Sequence, residues 1–245
     1  MRVAVISDTH GNLTALEAVI ADLRRTAPDV VYHGGDLAIN GARGAEVVDR
    51  IRELGWQGVV GNTDELLWRP ELQDHLEGLA PALTPLIKAI FDDIAPYTRA
   101  ALGQERVNWL QQLPAELHEG GLLLLHARPG ELWQAPPPDA KDAELVDTYA
   151  REDVSLAVYG HIHQPYVRTI GPLTVANSGG AGMSYDGDPR ASYLLIDEGI
   201  PAARRVEYDV DVEVRELAGR RHPHAGWITS ILRTGRYAMP AAARD

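Results

Sequence analysis

The chain has 245 residues, of which 45% are apolar, and a formal net charge of −12 at pH 7. This length and apolar content suffice for one large domain with a well-buried core. The acidic balance argues against a general nucleic-acid-binding surface, which requires basic patches. The absence of cysteine excludes disulfides, thiolate catalysis and Cys-based metal sites.

The first 60 residues alternate between short apolar strands and amphipathic helices. Strands are predicted over residues 1–7, 30–33 and 56–60, and helices over residues 13–25 and 45–54. This alternation predicts a parallel sheet, in which ligands collect beyond the carboxyl ends of the strands. Polar residues after the first three strands should therefore converge on one edge. The N-terminal strand is too short for a signal peptide and no run approaches 18 apolar residues, which predicts a soluble, cytoplasmic protein without a membrane partner.

The rest of the chain predicts a helical insertion followed by further strands. Residues 65–113 are helix-like but broken by prolines, and we interpret them as an insertion, and a candidate cap, within a single domain of residues 1–245. Strands are predicted over residues 121–125, 156–159, 166–170, 173–176, 191–196 and 204–208, with helices over residues 140–149 and in the tail from residue 212, and a polar, frayed end at residues 241–245. We expect the later strands to form an antiparallel-rich second sheet. The predicted fold is a two-sheet α/β sandwich with flanking helices.

Five polar clusters follow the predicted strands. They are Asp8-Thr9-His10-Gly11-Asn12, Gly34-Gly35-Asp36, Gly61-Asn62-Thr63-Asp64, His126 and Gly160-His161-Ile162-His163. Carboxylate, imidazole and amide oxygen are ligands for Mn, Fe, Zn and similar ions, and a pair of such ions can clamp a phosphoryl group. Together the clusters predict a metal-dependent phosphoesterase.

Each cluster also has a structural interpretation when it is taken alone. Asp8 and His10 would share one face of an extended chain, but an N-cap and an exposed histidine would give the same pattern. The same holds for His161 and His163, which predict two imidazoles on one side or merely a surface pair. A lone His126 would ordinarily be structural. The number and order of the clusters favour the metal site.

These motifs, in this order, resemble the calcineurin-like metallophosphoesterase superfamily, especially small bacterial phosphodiesterases whose third motif lacks histidine. The resemblance implies a four-layer sandwich and two divalent cations, with Mn favoured over Fe, Zn, Ni or Co. It implies that one ion binds Asp8, His10, Asp36 and His163, and the other binds Asp36, Asn62, His126 and His161. It also implies catalytic roles for Asp36, Asn62 and His126, with a water or hydroxide shared by the metals attacking phosphorus.

The third motif departs from the broad family pattern, because Thr63 stands where most members have histidine. A threonine hydroxyl cannot act as a general acid near neutral pH, which favours phosphodiesters with good leaving groups or a different source of the proton. A phosphomonoesterase, a dinucleoside polyphosphate hydrolase and a non-catalytic scaffold on the same fold stay open as alternatives.

Two further residues are candidates for contact with the expected substrate, a small-molecule or nucleotide-derived phosphoester. Asn12 could donate its amide to a phosphate oxygen, although a helix N-cap is an equal interpretation. Arg128 could offer a fork of donors to the same group, although a surface ion pair would also place an arginine there. A homodimer is only the generic expectation for the assembly.

Overall fold

The computed structural model describes residues 1–240, which form two five-stranded sheets with helices on their outer faces. The strands are β1 (Arg2–Ile6), β2 (Val30–His33), β3 (Gln57–Gly58), β4 (Glu116–Glu119), β5 (Leu122–Leu125), β6 (Leu156–Tyr159), β7 (Tyr166–Ile170), β8 (Leu173–Asn177), β9 (Ala191–Asp197) and β10 (Ile200–Val206). The helices are α1 (Leu13–Thr26), α2 (Gly44–Glu53), α3 (Asn62–Glu65), α4 (Leu72–Leu79), α5 (Thr84–Lys88), α6 (Ala95–Gln111), α7 (Asp142–Tyr149), α8 (Val210–Gly219) and α9 (Ala225–Thr234). The expected frayed end at residues 241–245 lies outside the described residues.

The first sheet has the strand order β10-β9-β1-β2-β3. β1, β2 and β3 are parallel, as the alternating pattern predicts, although β3 is shorter than expected because it pairs with β2 only at Gln57 and Gly58. The expectation that every late strand joins a second sheet is wrong for β9 and β10. β9 pairs antiparallel with β1, and β10 begins at Ile200 rather than at the predicted residue 204. Apolar periodicity identifies strands but does not encode their partners.

The second sheet has the order β4-β5-β6-β8-β7. Its three central strands are parallel, so the expected antiparallel-rich character applies only to the edge strands β4 and β7. The reason is the helix α7, which connects β5 to β6 and makes a parallel crossover. β4 was not predicted because Glu116, His118 and Glu119 give this edge strand a polar sequence.

The side chains of β5 show how the layers are held together. Leu122 and Leu124 pack between the two sheets, whereas Leu123 and Leu125 face outward and pack beneath α7. A strand buried on both faces has a continuous apolar sequence, which is why β5 consists of four leucines. On the other side, α1 covers the outer face of the first sheet. The predicted two-sheet α/β sandwich is confirmed.

The segment predicted as an insertion is helical over most of its length. A 3₁₀ turn (Pro81–Leu83) and a π-helical stretch (Ala89–Ile94) join α4, α5 and α6. Ile87, Phe91 and Ile94 anchor the segment in an apolar cluster. The cluster also includes side chains from the loop after β2 and side chains from α2. Its role as a cap stays a prediction. Within residues 1–240, no helix combines the length and apolar character that crossing a bilayer requires.

Candidate metal centre

The seven predicted ligands meet at the carboxyl ends of the strands. Asp8 and His10 follow β1, Asp36 follows β2, and His126 follows β5 directly. The remaining three are Asn62 at the start of α3 and His161 and His163 beyond β6. All are buried except His161, which is half-buried. The carboxyl ends of strands from both sheets thus place these seven polar side chains close together.

One group of ligand atoms surrounds the Asp8 carboxylate. The Nε2 atoms of His10 and His163 lie 3.1 Å apart, and His163 Nε2 is 3.2 Å from Asp8 Oδ1. One ligand atom from each of these three residues falls within 4.8 Å of the others. This spacing is compatible with all three binding a single ion.

A second group surrounds the Asn62 carboxamide. Its Oδ1 lies 2.8 Å from His126 Nε2 and 3.0 Å from His161 Nδ1. Asp36 stands between the two groups, with Oδ2 3.7 Å from His10 Nε2 and Oδ1 3.6 Å from His126 Nε2. Its two oxygens therefore face different groups, as a carboxylate that bridges two ions requires.

Backbone carbonyls fix three of the imidazole rings. The Nδ1 atoms of His10, His126 and His163 lie 2.9, 2.8 and 2.6 Å from the carbonyl oxygens of Ile39, Gly34 and Met183, respectively. A carbonyl can only accept, so each Nδ1 carries the proton and each neutral ring presents an Nε2 lone pair to the site. Metal-bound histidines are commonly oriented by such a bond.

The donor set fits divalent cations. With Nδ1 protonated, the neutral rings of His10 and His163 point lone pairs at each other and at the carboxylates of Asp8 and Asp36. Buried acceptors that face acceptors are unfavourable unless a positive charge lies among them. Imidazole, carboxylate and amide oxygen are the ligands that Mn, Fe, Zn and similar ions accept.

Burial and charge shift the titration of these groups in opposite directions. Burial alone would raise the pKa of Asp8, but His163 lowers this pKa below its ordinary value whenever its ring carries a second proton, which supplies a positive charge and a hydrogen bond to the Asp8 carboxylate. Burial lowers the pKa of His10. At His126, burial also acts to lower the pKa, but the charges of Asp36 and Asp8 outweigh it and the pKa is raised.

The backbone at the site differs from the extended geometry that the sequence suggests. Asp8, His10, Asp36, His161 and His163 have φ angles of 56°, 45°, 55°, 64° and 55°. Such left-handed conformations are uncommon for residues with a side chain and cluster at functional sites. The explanation of the Asp-x-His and His-x-His pairs by strand alternation is therefore wrong. Left-handed turns after the strands, rather than pleating, bring the paired side chains together.

Glycines allow the second and third loops to touch. Gly35 has a φ of 87°, which a residue with a Cβ adopts only with strain. A Cβ on Gly61 would collide with the Asp36 carboxylate. The two glycines thus let the loop that carries Asp36 lie against the loop that carries Asn62.

Asp64 is a positioning residue that the sequence interpretation did not assign to the site. Its carboxylate is fully buried and accepts backbone N–H bonds from Asp36 (2.9 Å), Leu37 (3.0 Å) and Gly61 (3.3 Å). Burial and the charge of Asp36 raise the pKa of Asp64 to about 7. Its place immediately after the Asn62-Thr63 pair was the available signal.

The two predicted substrate-binding residues lie outside the ligand cluster. Asn12 is the N-cap of α1: its Oδ1 accepts from Ala15 N at 3.0 Å, and its Nδ2 donates to Gly182 O at 2.9 Å. Its amide is therefore engaged within the fold, and the capping interpretation is the one observed. Arg128 is exposed and donates to Gln134 Oε1 at 2.9 Å, so its contact with substrate stays a prediction.

A cavity of about 660 Å³ opens over the ligand cluster. Its polar floor includes His10, Asp36, Asn62, His161 and His163. Its walls carry apolar residues that the sequence interpretation did not assign, from the insertion and the C-terminal region: Leu72, Leu76, Leu79, Leu83, Leu86, Ile87, Ile90, Phe91, Tyr185, Trp227 and Tyr237. Helical spacing of the leucines was the signal for this wall. Trp133 also lines the cavity.

Comparison with known proteins agrees with this fold. Residues 1–199 match the calcineurin-like phosphoesterase superfamily domain. The chain is 30% identical to an uncharacterised protein of Methanocaldococcus jannaschii, over 96% of this chain and 98% of the relative. It is 27% identical to a probable cyclic nucleotide phosphodiesterase of a Synechococcus strain, over 69% of this chain and 71% of that protein.

Solved structures show the same architecture. A metallophosphoesterase from Sphaerobacter thermophilus superposes with a TM-score of 0.76 at 24% identity, covering 96% of this chain and 100% of that one. A hypothetical protein from Pyrococcus horikoshii gives a TM-score of 0.78 at 21% identity, covering 97% and 99%. The chain belongs to the calcineurin-like phosphoesterase superfamily, a family of divalent-metal-dependent hydrolases.

Proposed function

We propose that this protein is a phosphodiesterase that uses two divalent cations, with Mn²⁺ favoured, to hydrolyse a small-molecule phosphodiester. The ligands would be Asp8, His10, Asp36 and His163 for one cation and Asp36, Asn62, His126 and His161 for the other. The observation that carries the proposal is the position of Asp36, whose two oxygens lie 3.7 and 3.6 Å from the Nε2 atoms of His10 and His126. A single carboxylate between two imidazole groups is suited to two ions rather than one.

The chain's own residues would supply orientation and a dry environment. Bound divalent cations lower the pKa of water and stabilise charge that develops on a phosphoryl group. Carbonyl bonds hold the imidazoles of His10, His126 and His163 in one tautomer and one orientation. Burial of both aspartates, 0% exposed for Asp8 and 2% for Asp36, would limit competition between bulk water and these carboxylates for the cations.

Charge on the cavity wall favours a diester over a monoester. Among the described residues, those that line the cavity include no lysine or arginine. The cations would then be the main positive charges offered to the substrate, and a diester brings one negative charge where a monoester brings nearly two at pH 7. Thr63 also lines the cavity, and its buried hydroxyl has no hydrogen-bond partner in the described chain, so no general acid stands at that position.

The Synechococcus relative is named as a probable phosphodiesterase. This name supports hydrolysis of a diester as the reaction type, but it does not identify the substrate. A phosphomonoesterase and a dinucleoside polyphosphate hydrolase are less well supported, because both substrates carry more negative charge. A scaffold function is disfavoured because all seven ligand positions hold competent donors in one cluster.

The test compares bis-4-nitrophenyl phosphate with 4-nitrophenyl phosphate. Metal-stripped protein should cleave the diester faster than the monoester once Mn²⁺ is added back. Asp36→Asn should reduce diester cleavage by at least about 10³-fold, since charge stabilisation by metal ions is worth several kcal/mol. The matched control is Asp49→Asn, which removes a carboxylate from the α2 surface and should leave the rate unchanged.

Two results would contradict the proposal. Faster turnover of the monoester would show that Thr63 does not restrict the leaving group and would indicate a phosphatase. No turnover of either ester by protein that binds two Mn²⁺ ions would indicate a scaffold.

A further inference from the structure

One helical segment of the insertion exposes a row of leucines to the cavity. Leu72, Leu76 and Leu79 recur at intervals of four and three residues, which places them on one face of α4, and Leu83 follows in the 3₁₀ turn after that helix. None of the four is buried, and Leu79 and Leu83 are 63% and 40% exposed. All four line the cavity over the ligand cluster. We call these four residues the leucine stripe.

The core of the protein explains the leucine stripe only in part, because Leu72 and Leu76 pack against the apolar cluster that anchors the insertion, whereas Leu79 and Leu83 do not belong to that cluster. α4 contributes no buried residue to the fold, although its sequence is amphipathic. A helix normally buries its apolar face against another element. Here that face is directed into the same cavity as His10, Asp36 and Asn62, so its apolar surface is continuous with the phosphate site.

The other walls of the cavity are also mainly apolar. Ile87, Ile90 and Phe91 lie next to the leucine stripe along the insertion. Apart from His75, the charged side chains on these walls outside the ligand cluster are the acidic Glu65 and Glu131, and Arg69 pairs with Glu65 at 3.1 Å. Both accept hydrogen bonds from Trp133, through Nε1 to Glu65 (3.0 Å) and through the backbone N–H to Glu131 (2.7 Å). The wall thus offers apolar surface and negative charge.

We propose that the leucine stripe binds an uncharged aliphatic group of the substrate, so that the substrate is a single-phosphate diester with an alkyl or acyl chain. This inference rests on the proposed function of the same site. Further phosphates would lie beside Glu65 and Glu131, where the described lining residues include no lysine or arginine to pair with them. The four leucines offer a nucleobase no hydrogen-bond partner, so a base would have to bring its polar edges to Asn40, His75 or Gln134 instead. The cavity volume, about 660 Å³, is that of a site for one medium-sized organic molecule.

A series of diesters with one leaving group tests this inference. We would measure kcat/KM for 4-nitrophenyl alkyl phosphates from ethyl to octyl, together with the 4-nitrophenyl ester of thymidine 5′-phosphate. Each added methylene that is buried should raise kcat/KM by up to about fourfold. The octyl ester should be the better substrate by at least about tenfold over the thymidine ester, and equal or reversed rates would overturn the inference.

Variants assign the effect to the leucine stripe. The double variant Leu79→Gln, Leu83→Gln changes two exposed positions, so the fold should persist while the dependence on chain length flattens. Ile200→Gln is the control, because Ile200 is 73% exposed on β10 and does not line the cavity. If the double variant keeps the full chain-length dependence, the inference is wrong. If it instead alters the oligomeric state by light scattering and not the dependence, the stripe is a contact between copies, which also overturns it.

Binding separates this inference from the proposed function. Octyl methylphosphonate should bind the Mn²⁺-loaded protein at least about tenfold more tightly than ethyl methylphosphonate in calorimetry, and the double variant should lose that difference. Tight octyl binding without hydrolysis of any diester would refute the phosphodiesterase activity and support the apolar site. Hydrolysis of bis-4-nitrophenyl phosphate with no chain-length effect on rate or binding would leave the activity standing and refute the inference.

Discussion

The cavity has two walls that the protein holds in different ways. On the sheet edge, six of the seven predicted ligands are buried, and five of the seven have positive φ angles. Backbone carbonyls fix three of their rings. On the insertion side, the leucine stripe belongs to α4 and to the 3₁₀ turn after it, neither of which has a buried residue. One wall is held by hydrogen bonds in strained backbone, and the other is a partly solvated apolar surface.

This difference matches what each wall has to do. Phosphoryl chemistry requires ligand atoms in fixed positions, because small displacements of reacting groups cost large factors in rate. Recognition of an aliphatic group requires apolar area and little directionality. A loosely anchored helix can therefore select substrates while the sheet edge stays unchanged, which is how insertions near conserved scaffolds commonly act.

Removal of the metals should affect the two walls unequally. At a cation concentration of about 100 times Kd, each ion would stabilise the fold by about 2.7 kcal/mol. Two ions would thus contribute about 5 kcal/mol, and chelation should lower Tm by roughly 10–20 °C. Hydrogen exchange should increase at the loops around Asp8, Asp36 and His161 but not in α4. Calorimetry and exchange mass spectrometry with and without chelator measure both effects.

The control for metal removal is Asp36→Asn, which should have a lower Tm increment on addition of Mn²⁺ than the wild type. A Tm that does not depend on chelator would contradict the assignment of the ligand cluster. Equal loss of protection in α4 would show that the two walls are coupled rather than independent.

Thr63→His tests the leaving-group side of the sheet-edge wall. General acid catalysis contributes about 10²- to 10⁴-fold, and a histidine placed at the cavity should gain part of this. We expect the rate on alkyl phosphates with poor leaving groups to rise by about 10²-fold, with little change for 4-nitrophenyl esters. Thr63→Val is the matched control, because it keeps the shape but removes the hydroxyl. Equal gains with both leaving groups would mean that the histidine acts by charge and not as an acid.

The sheet-edge wall was largely predictable from the sequence, because its signals are local. A strand followed by Asp, His or Gly-Gly-Asp is visible in a few residues, and the parallel sheet implies convergence at one edge. All seven candidate ligands indeed lie in one cluster. The left-handed conformations of Asp8 and His161 were not predictable, since they arise from contacts between loops that are distant in the chain.

The insertion wall and the pairing of the strands were less predictable from the sequence. The leucine stripe has helical periodicity in the sequence, but periodicity does not tell whether a face packs on the core or lines a cavity. The pairing of β9 with β1 depends on residues about 190 positions apart, such as Val3 and Ile196. For Asn12, the local sequence was equally compatible with a helix N-cap and with a contact to substrate. Only the hydrogen bonds with Ala15 and Gly182 distinguish the two roles.

Asp64→Asn gives the smallest expected effect and tests how the sheet-edge wall is held. Oδ2 of Asp64 accepts from Asp36 N and Gly61 N, and Oδ1 accepts from Leu37 N. An amide would turn one of these oxygens into a donor facing a donor. We expect Mn²⁺ affinity to fall about 10- to 100-fold, as for other residues that orient ligands. Titration calorimetry of the metal-stripped variant measures this loss.

The control for Asp64→Asn is Asp22→Asn, which alters a carboxylate of similar burial that binds Tyr193 and Arg204 away from the site. It should lower stability without a change in metal affinity.

The pH dependence of stability gives a second test of Asp64. The folded-state pKa of Asp64 is raised to about 7 from an ordinary 3.8, so its contribution to the stability of metal-free protein is present below pH about 4 and is lost as the pH rises to about 7. The free energy of unfolding of metal-free wild type, measured relative to Asp64→Asn, should therefore decrease across that interval. A flat difference would mean that Asp64 is ionised throughout and that the charge of Asp36 does not act on it.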